Sequence, residues 1–231
     1  MVNKQLLIMQ MMDTTFPIGL FNQSYGFEYF VYQEKITTAE NFYHWLRTYV
    51  ENQLQYNDLL VVKEIYSNLI TSESFPIKSL IFYNDLLHAQ NLASEVRKGN
   101  SRTGNQFLNL MTKLFDNEVI HQLRNEFISH HVNPHPAMVY AVIGYMLKVP
   151  LPELLETYLY GVISSLMQNA VRGIPIGQLK AQKMLIDMHD EIASIVQRVM
   201  KLDISEFGKC LPEMEIAQMQ HETLFARMFM S

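Results

Sequence analysis

Apolar residues recur along this chain at intervals of three and four. Leu151, Leu154, Leu155, Tyr158, Leu159, Val162, Ile163 and Leu166 form one such series, and Met184, Leu185, Met188, Ile192, Ile195, Val196, Val199 and Leu202 form another. That spacing lines one face of a helix. No segment alternates apolar and polar residues between turn dipeptides, so no strand is expected. The pattern predicts an all-α chain, a single compact helical domain of about eight to ten helices spanning 1–231. Residues from about 206 to 231, less periodic and carrying Gly208 and Pro212, are expected as a loose C-terminal arm.

Turn and capping residues place the boundaries. Thr37 followed by Glu40 has the form of a capping box and predicts a helix to about Leu54. Asn57-Asp58 predicts another to about Leu69, and a helix follows from about Ile77 to Arg97. The polar run Lys98 to Thr103 is expected to interrupt it before helices over Gly104–Asp116 and Asn117–His130. Asn133-Pro134-His135-Pro136 is the clearest break, with Pro136 suited to a first helical turn. A long helix is expected to reach Arg172, and Gly173-Ile174-Pro175-Ile176-Gly177 connects it to a last one ending near Leu202.

Composition narrows the class. Nine glycines and eight prolines are about 7% of the chain against a usual usage of about 12%, as long uninterrupted helices require. The formal net charge of -5 argues against a nucleic-acid binder, which usually shows a basic surplus. The single cysteine, Cys210, excludes an intrachain disulfide and fits a reducing compartment. Ala137 to Val149 is too short to span a bilayer, and no small-residue cleavage site follows the first apolar run. The expectation is a cytoplasmic protein with no membrane span and no signal peptide.

Catalytic signatures are incomplete. Gly99 and Gly104 have phosphate-loop spacing, but Asn105-Gln106 replaces the lysine and hydroxyl that loop needs. His221-Glu222 begins like a zinc-protease motif, yet Phe225 stands where the second histidine belongs. Asp187, His189, Asp190 and Glu191 spread around a helix as a solvated face would. His130, His131 and His135 are the only histidine cluster. They leave open an alternative, a helical metal-binding protein or metal-dependent enzyme, although no cysteine or carboxylate nearby completes a shell. No catalytic residue, resident metal or stoichiometric cofactor is expected.

Two segments do not fit that plain picture. Asp13 to Glu28 sets Pro17, Gly19 and Gly26 among large aromatics, and Ile216 to Ser231 is apolar for a chain end, where chains fray unless they dock. Together with other dispersed matches, these segments resemble the urease accessory protein UreF family. The matching residues are Asp13, Phe16-Pro17-Ile18-Gly19 and Ser24-Tyr25-Gly26-Phe27-Glu28; then Glu95, Arg97 and Gly104; then His135-Pro136. Ala170-Val171-Arg172-Gly173-Ile174-Pro175-Ile176-Gly177-Gln178 follows, and Met219-Gln220-His221-Glu222 with Arg227-Met228-Phe229-Met230-Ser231 completes the set. Three positions depart from the family pattern: Leu20 replaces a glycine, Phe27 a leucine and Gly173 an aliphatic residue.

The resemblance implies a non-catalytic scaffold or chaperone for urease maturation. Its implied partners are UreD/UreH, the GTPase UreG and apo-urease, with GTPase-dependent nickel insertion and nickel in transit. It also implies a homodimer. Glu28, Arg172 and Gln178 are the implied GTPase-facing residues, although Glu28 and Arg172 are also candidates to pair with each other. Pro17, Gly19, Gly26, Pro175 and Gly177 would shape the partner surface through their backbone geometry. His221, Glu222, Arg227 and Phe229 are the implied docking residues of the arm.

Overall fold

A computed structural model describes residues 3–230, apart from the side chain of Phe21; residues 1, 2 and 231 lie outside the description. The described chain is helical and contains no strand. Its centre is α8 (Pro136–Met146), in which every residue from Pro136 to Gly144 is buried. A helix apolar on all sides must be covered on all sides. Here α4 (Asp58–Thr71), α5 (Ile77–Gln90), α6 (Ser94–Leu114), α7 (Glu118–Ser129) and α9 (Leu151–Gly173) surround it. The long α9 forms the second spine. It packs against α1 (Lys4–Met12), α3 (Ala39–Asn52), α4, α10 (Gln178–Asp187) and α11 (His189–Val199).

Several boundaries differ from the pattern-based expectation. The break expected at Lys98–Thr103 is absent, because α6 runs unbroken and the chain turns instead at Asn91–Ala93. There Asn91 donates to the Leu87 carbonyl in the last turn of α5, and Arg97 Nη1 donates to the carbonyls of Asn91 and Leu92, which ties the connection to the start of α6. Gly104 is therefore a packing residue. A Cβ built there would lie 1.8 Å from the Pro134 carbonyl oxygen. The start of α3 is shifted by one residue: Thr38 caps it, accepting from the Asn41 amide at 3.2 Å, while Glu40 reaches Lys180. The helix expected to end near Leu202 bends at Met188 into α10 and α11, with helical bonding carried across the bend.

The arm is folded rather than loose through residue 230. After a short turn at Ile204–Glu206, α12 (Pro212–Gln220) packs on α6 and on α2 (Phe27–Tyr32), and a 3₁₀ turn at His221–Thr223 follows. Gly26, buried and at φ +89, lets α12 settle on the start of α2; a Cβ there would meet Gln218 Cγ at 3.2 Å. Beneath α12, the buried Glu215 carboxylate is held by the side-chain amides of Gln53 and Gln90. Burial pushes its pKa up.

Candidate functional site: a clamp between the N-terminal motif and the tail

The N-terminal loop is built from its own sequence. Asp13 accepts from the backbone and hydroxyl of Thr15, starting a turn that buries Phe16 and Ile18 and leaves Pro17 exposed. Phe16 lies edge-on against Phe107 of α6, with ring centroids 5.9 Å apart. Gly19, at φ +83, opens the 3₁₀ turn Leu20–Asn22, in a left-handed conformation that costs glycine little. The loop then delivers Glu28 to the first turn of α2.

Glu28 points inward. His221 Nε2 lies 2.8 Å from its Oε2, and the backbone amides of Met228 and Phe229 donate to the same carboxylate. On the other side of the imidazole, Nδ1 lies 2.8 Å from Oε2 of Glu95. Arg227 Nη1 donates to the second Glu95 oxygen at 2.5 Å. Both ring nitrogens of His221 face carboxylates, so both must donate, which defines an imidazolium. The result is a neutral set of two carboxylates and two cations, closed around a histidine with no solvent-exposed surface.

The electrostatics agree with that assignment. Burial alone would lower the His221 pKa, but the hydrogen bonds and charges of Glu28 and Glu95 outweigh it and raise the group above its ordinary value. Burial would likewise raise Glu28. The His221 contact and the two tail amides outweigh that and hold it below the usual carboxylate range.

Arg172 joins the same assembly from another side. Its guanidinium lies 4.9 Å from the centroid of the buried Phe229 ring and donates to Asn169 Oδ1 at 2.5 Å. Asn169 in turn donates to the Gln23 carbonyl, and the Met230 amide donates to the Asn22 carbonyl. Glu28 and Arg172 therefore do not pair with each other. They meet through the tail, one on the Phe229 amide and the other on its ring.

The remaining candidate residues divide into two groups. Arg172, Pro175, Gly177 and Gln178 are exposed and continuous with Leu179, which is 72% exposed. Gly177 has φ -74 and open space where a Cβ would go, so no backbone constraint demands glycine there. In the tail, Glu222 is exposed and Phe225 is wholly in solvent. Ser231, the last residue of the tail motif, lies outside the described residues. The sequence reading did not single out Glu95, Asn169 or Phe225 as site residues. Glu95 already stood in the Glu-x-Arg element, and its role shows only once His221 folds onto it.

The histidine cluster is dispersed. His135 caps α8, its Nδ1 accepting from the Ala137 amide, and burial drives its pKa well below the ordinary value. His131 adopts φ +54 at the end of α7, where Val132 donates back to Phe127 as a left-handed helix stop requires. His130 is exposed beside Ser129 and Glu126. Among the described residues, no three His, Cys, Asp or Glu side chains converge on a point that could hold a metal ion. Among the described residues, no helix is long and apolar enough to cross a membrane.

The fold and the clamp together define an all-helical domain whose C-terminal tail is tied by buried ion pairs to its own N-terminal loop. Comparison with known proteins identifies the family. The UreF family model matches residues 36–189. A urease accessory protein UreF from Bacillus sp. (strain TB-90) is 34% identical over 230 residues, covering 100% of both chains. Those of Geobacillus kaustophilus (strain HTA426), 34% over 232 residues and 100% of both chains, and Streptococcus thermophilus (strain ATCC BAA-491 / LMD-9), 32% over 226 residues and 98% and 94% of the chains, are similar over the same extent. The chain belongs to the UreF family.

Proposed function

We propose that this protein is a urease accessory protein acting as a cytoplasmic, non-catalytic scaffold. In this reading it joins a UreD/UreH-type partner and the GTPase UreG, works as a homodimer, and couples the GTPase to nickel insertion into apo-urease. Nickel is cargo in transit, and the protein holds no cofactor of its own. The observation that carries the reading is the clamp. The polar residues that a catalytic site would need are used to hold the tail against Glu28, Glu95 and Arg172, leaving two presented surfaces. The turn from Arg172 to Leu179 is the GTPase-facing one, with Arg172 and Gln178 in contact. The crest of the tail, with Glu222 and the solvated Phe225, docks on the UreD/UreH-type partner. His221, Arg227, Phe229 and Glu28 serve both surfaces by fixing the tail, and Pro17, Gly19 and Gly26 by shaping its seat.

The test is size-exclusion chromatography with light scattering, mixing the protein with the UreD/UreH-type partner and then with UreG, GTP and nickel. A co-eluting assembly is expected, with no GTP hydrolysis by this chain alone. Arg172→Ala is expected to weaken UreG retention while leaving helix content intact, and Phe225→Ala to weaken retention of the other partner. Failure of the wild-type chain to co-elute with either partner overturns the scaffold reading.

A further inference from the structure

Beside the clamp, and independent of the partner assignments above, lies an open cleft of about 970 Å³ between the Pro17–Gly19 loop, α6 and Asn133. Its long wall is one side of α6. Arg97, Ser101 and Asn105 recur every four residues as a half-buried row, and Lys98, Arg102, Gln106 and Asn109 form the exposed row beside it. That spacing follows from the helical repeat. Among the described residues, no aspartate or glutamate lines the cleft, and Lys98 and Arg102 have no acidic partner within ion-pair distance. Arg124 of α7 extends the strip, its Nε donating to Asn109 Oδ1. In a chain of formal net charge -5, this is a local reversal of sign.

The geometry discriminates among anionic ligands. Phosphate is usually cradled by free backbone N–H groups at a helix start or a nest. Here residues 97–109 sit inside an unbroken helix, with their amides committed to helical bonding. Single-stranded nucleic acid asks for successive aromatic platforms, and among the described lining residues the one aromatic ring is that of His88, half-buried and bonded to the Asn133 carbonyl. What the wall does offer is three cations, Arg97, Lys98 and Arg102, followed by three side-chain amides, Asn105, Gln106 and Asn109, over 12 residue steps, roughly 18 Å at 1.5 Å each. Carboxamides can both donate to and accept from a peptide backbone, and 18 Å matches about five or six residues of extended chain.

We infer that the α6 cleft binds an extended acidic segment of a partner protein. Carboxylates pair with Lys98, Arg102 and Arg97, and Asn105, Gln106 and Asn109 bond the segment's backbone.

The test uses the full-length protein and a fluorescein-labelled peptide of six alternating Glu and Gly residues, with a Gln/Gly peptide as the neutral control. Fluorescence anisotropy at 50 mM salt should show saturable binding of the acidic peptide, with amide shift changes in 15N spectra confined to residues around 97–109 and 17–23. Lys98→Gln with Arg102→Gln should weaken it about tenfold, as loss of two exposed ion pairs implies, with an unchanged melting temperature because both side chains are exposed. Absence of binding up to millimolar peptide overturns the inference, as do shifts mapping elsewhere or an affinity indifferent to the double substitution. Equal or tighter binding of inorganic phosphate or a labelled oligothymidine at the same residues overturns the assignment to a peptide.

Discussion

Replacing His221 with Ala removes the one residue that touches both carboxylates of the clamp. The imidazolium makes two charge-assisted contacts, each 2.8 Å, and such bonds contribute about 1.5–3 kcal/mol each. The Glu28 and Glu95 side chains retain 13% and 21% of their exposure, so water reaches the stranded carboxylates and the lower end applies, about 3 kcal/mol in all. That corresponds to roughly a hundredfold in the tail's opening equilibrium. Hydrogen exchange on the full-length protein reads it directly. The Met228, Phe229 and Met230 amides, bonded to Glu28 and to the Asn22 carbonyl, should exchange about a hundredfold faster, while amides of the buried α8 keep their wild-type protection. The pH dependence has a definite sign. A raised histidine pKa contributes stability fully present below the ordinary value of 6.5 and lost as pH rises through the folded value. Glu28, lowered, contributes stability present above its ordinary 4.5 and lost as pH falls through the folded value. The tail should therefore be best held between about pH 4.5 and 6.5 and loosen above that, after correction for intrinsic exchange. Tail protection within threefold of wild type in His221→Ala, or a wild-type tail that tightens as pH rises past 6.5, would refute this account.

Two further substitutions probe the packing. Gly104→Ala places a methyl 1.8 Å from the Pro134 carbonyl oxygen, a backbone atom that cannot rotate away, so it should cost about 3 kcal/mol or more in urea denaturation. Gly99→Ala, whose methyl meets only the Gln23 side-chain amide at 2.5 Å, should cost clearly less, and equal costs would contradict the reasoning. Gly173→Val should lose about 1–2 kcal/mol, because a Cβ there lies 3.1 Å from Phe27 Cε1. In a Phe27→Leu background the same change should be milder by at least about 0.5 kcal/mol, and strict additivity would show that the two sites are uncoupled.

The helical character and most boundaries were legible in the sequence because helices such as α3, α7 and α11 bury one face, and one-sided burial writes itself as spacing. The central α8, buried on all sides, was legible from its proline start. The missed break at Asn91–Ala93 shows where that reasoning stops. Residues 98–103 are polar, but Gly99, Asn100, Thr103 and Gly104 are buried against other segments, and a pattern that equates burial with apolar side chains reads such a face as a loop. The candidate residues were legible individually. Their arrangement was not, because Glu28 and His221 are 193 positions apart and Glu95 and Arg227 are 132 apart. Nothing local in sequence encodes which charged residues meet.

The two departures at Phe27 and Gly173 illustrate how such non-local information is carried. Taken one at a time, each weakens a match to the family pattern: a ring where an aliphatic is usual, and no side chain where one is usual. In the fold they adjoin. Phe27 is fully buried against Phe42 and Trp45, and its ring edge fills the space that a side chain at residue 173 would occupy. A larger residue on α2 is offset by a smaller one at the end of α9, as close packing requires. The compensation also has a place in the clamp. Phe27 precedes Glu28 and Gly173 follows Arg172, so the joint between the two helices sets the separation of the carboxylate that holds the Phe229 amide and the guanidinium that covers its ring. In this chain the Phe27 ring fills the layer that Gly173 leaves open beneath the tail, and the Glu28 carboxylate and Arg172 guanidinium grip Phe229 above it.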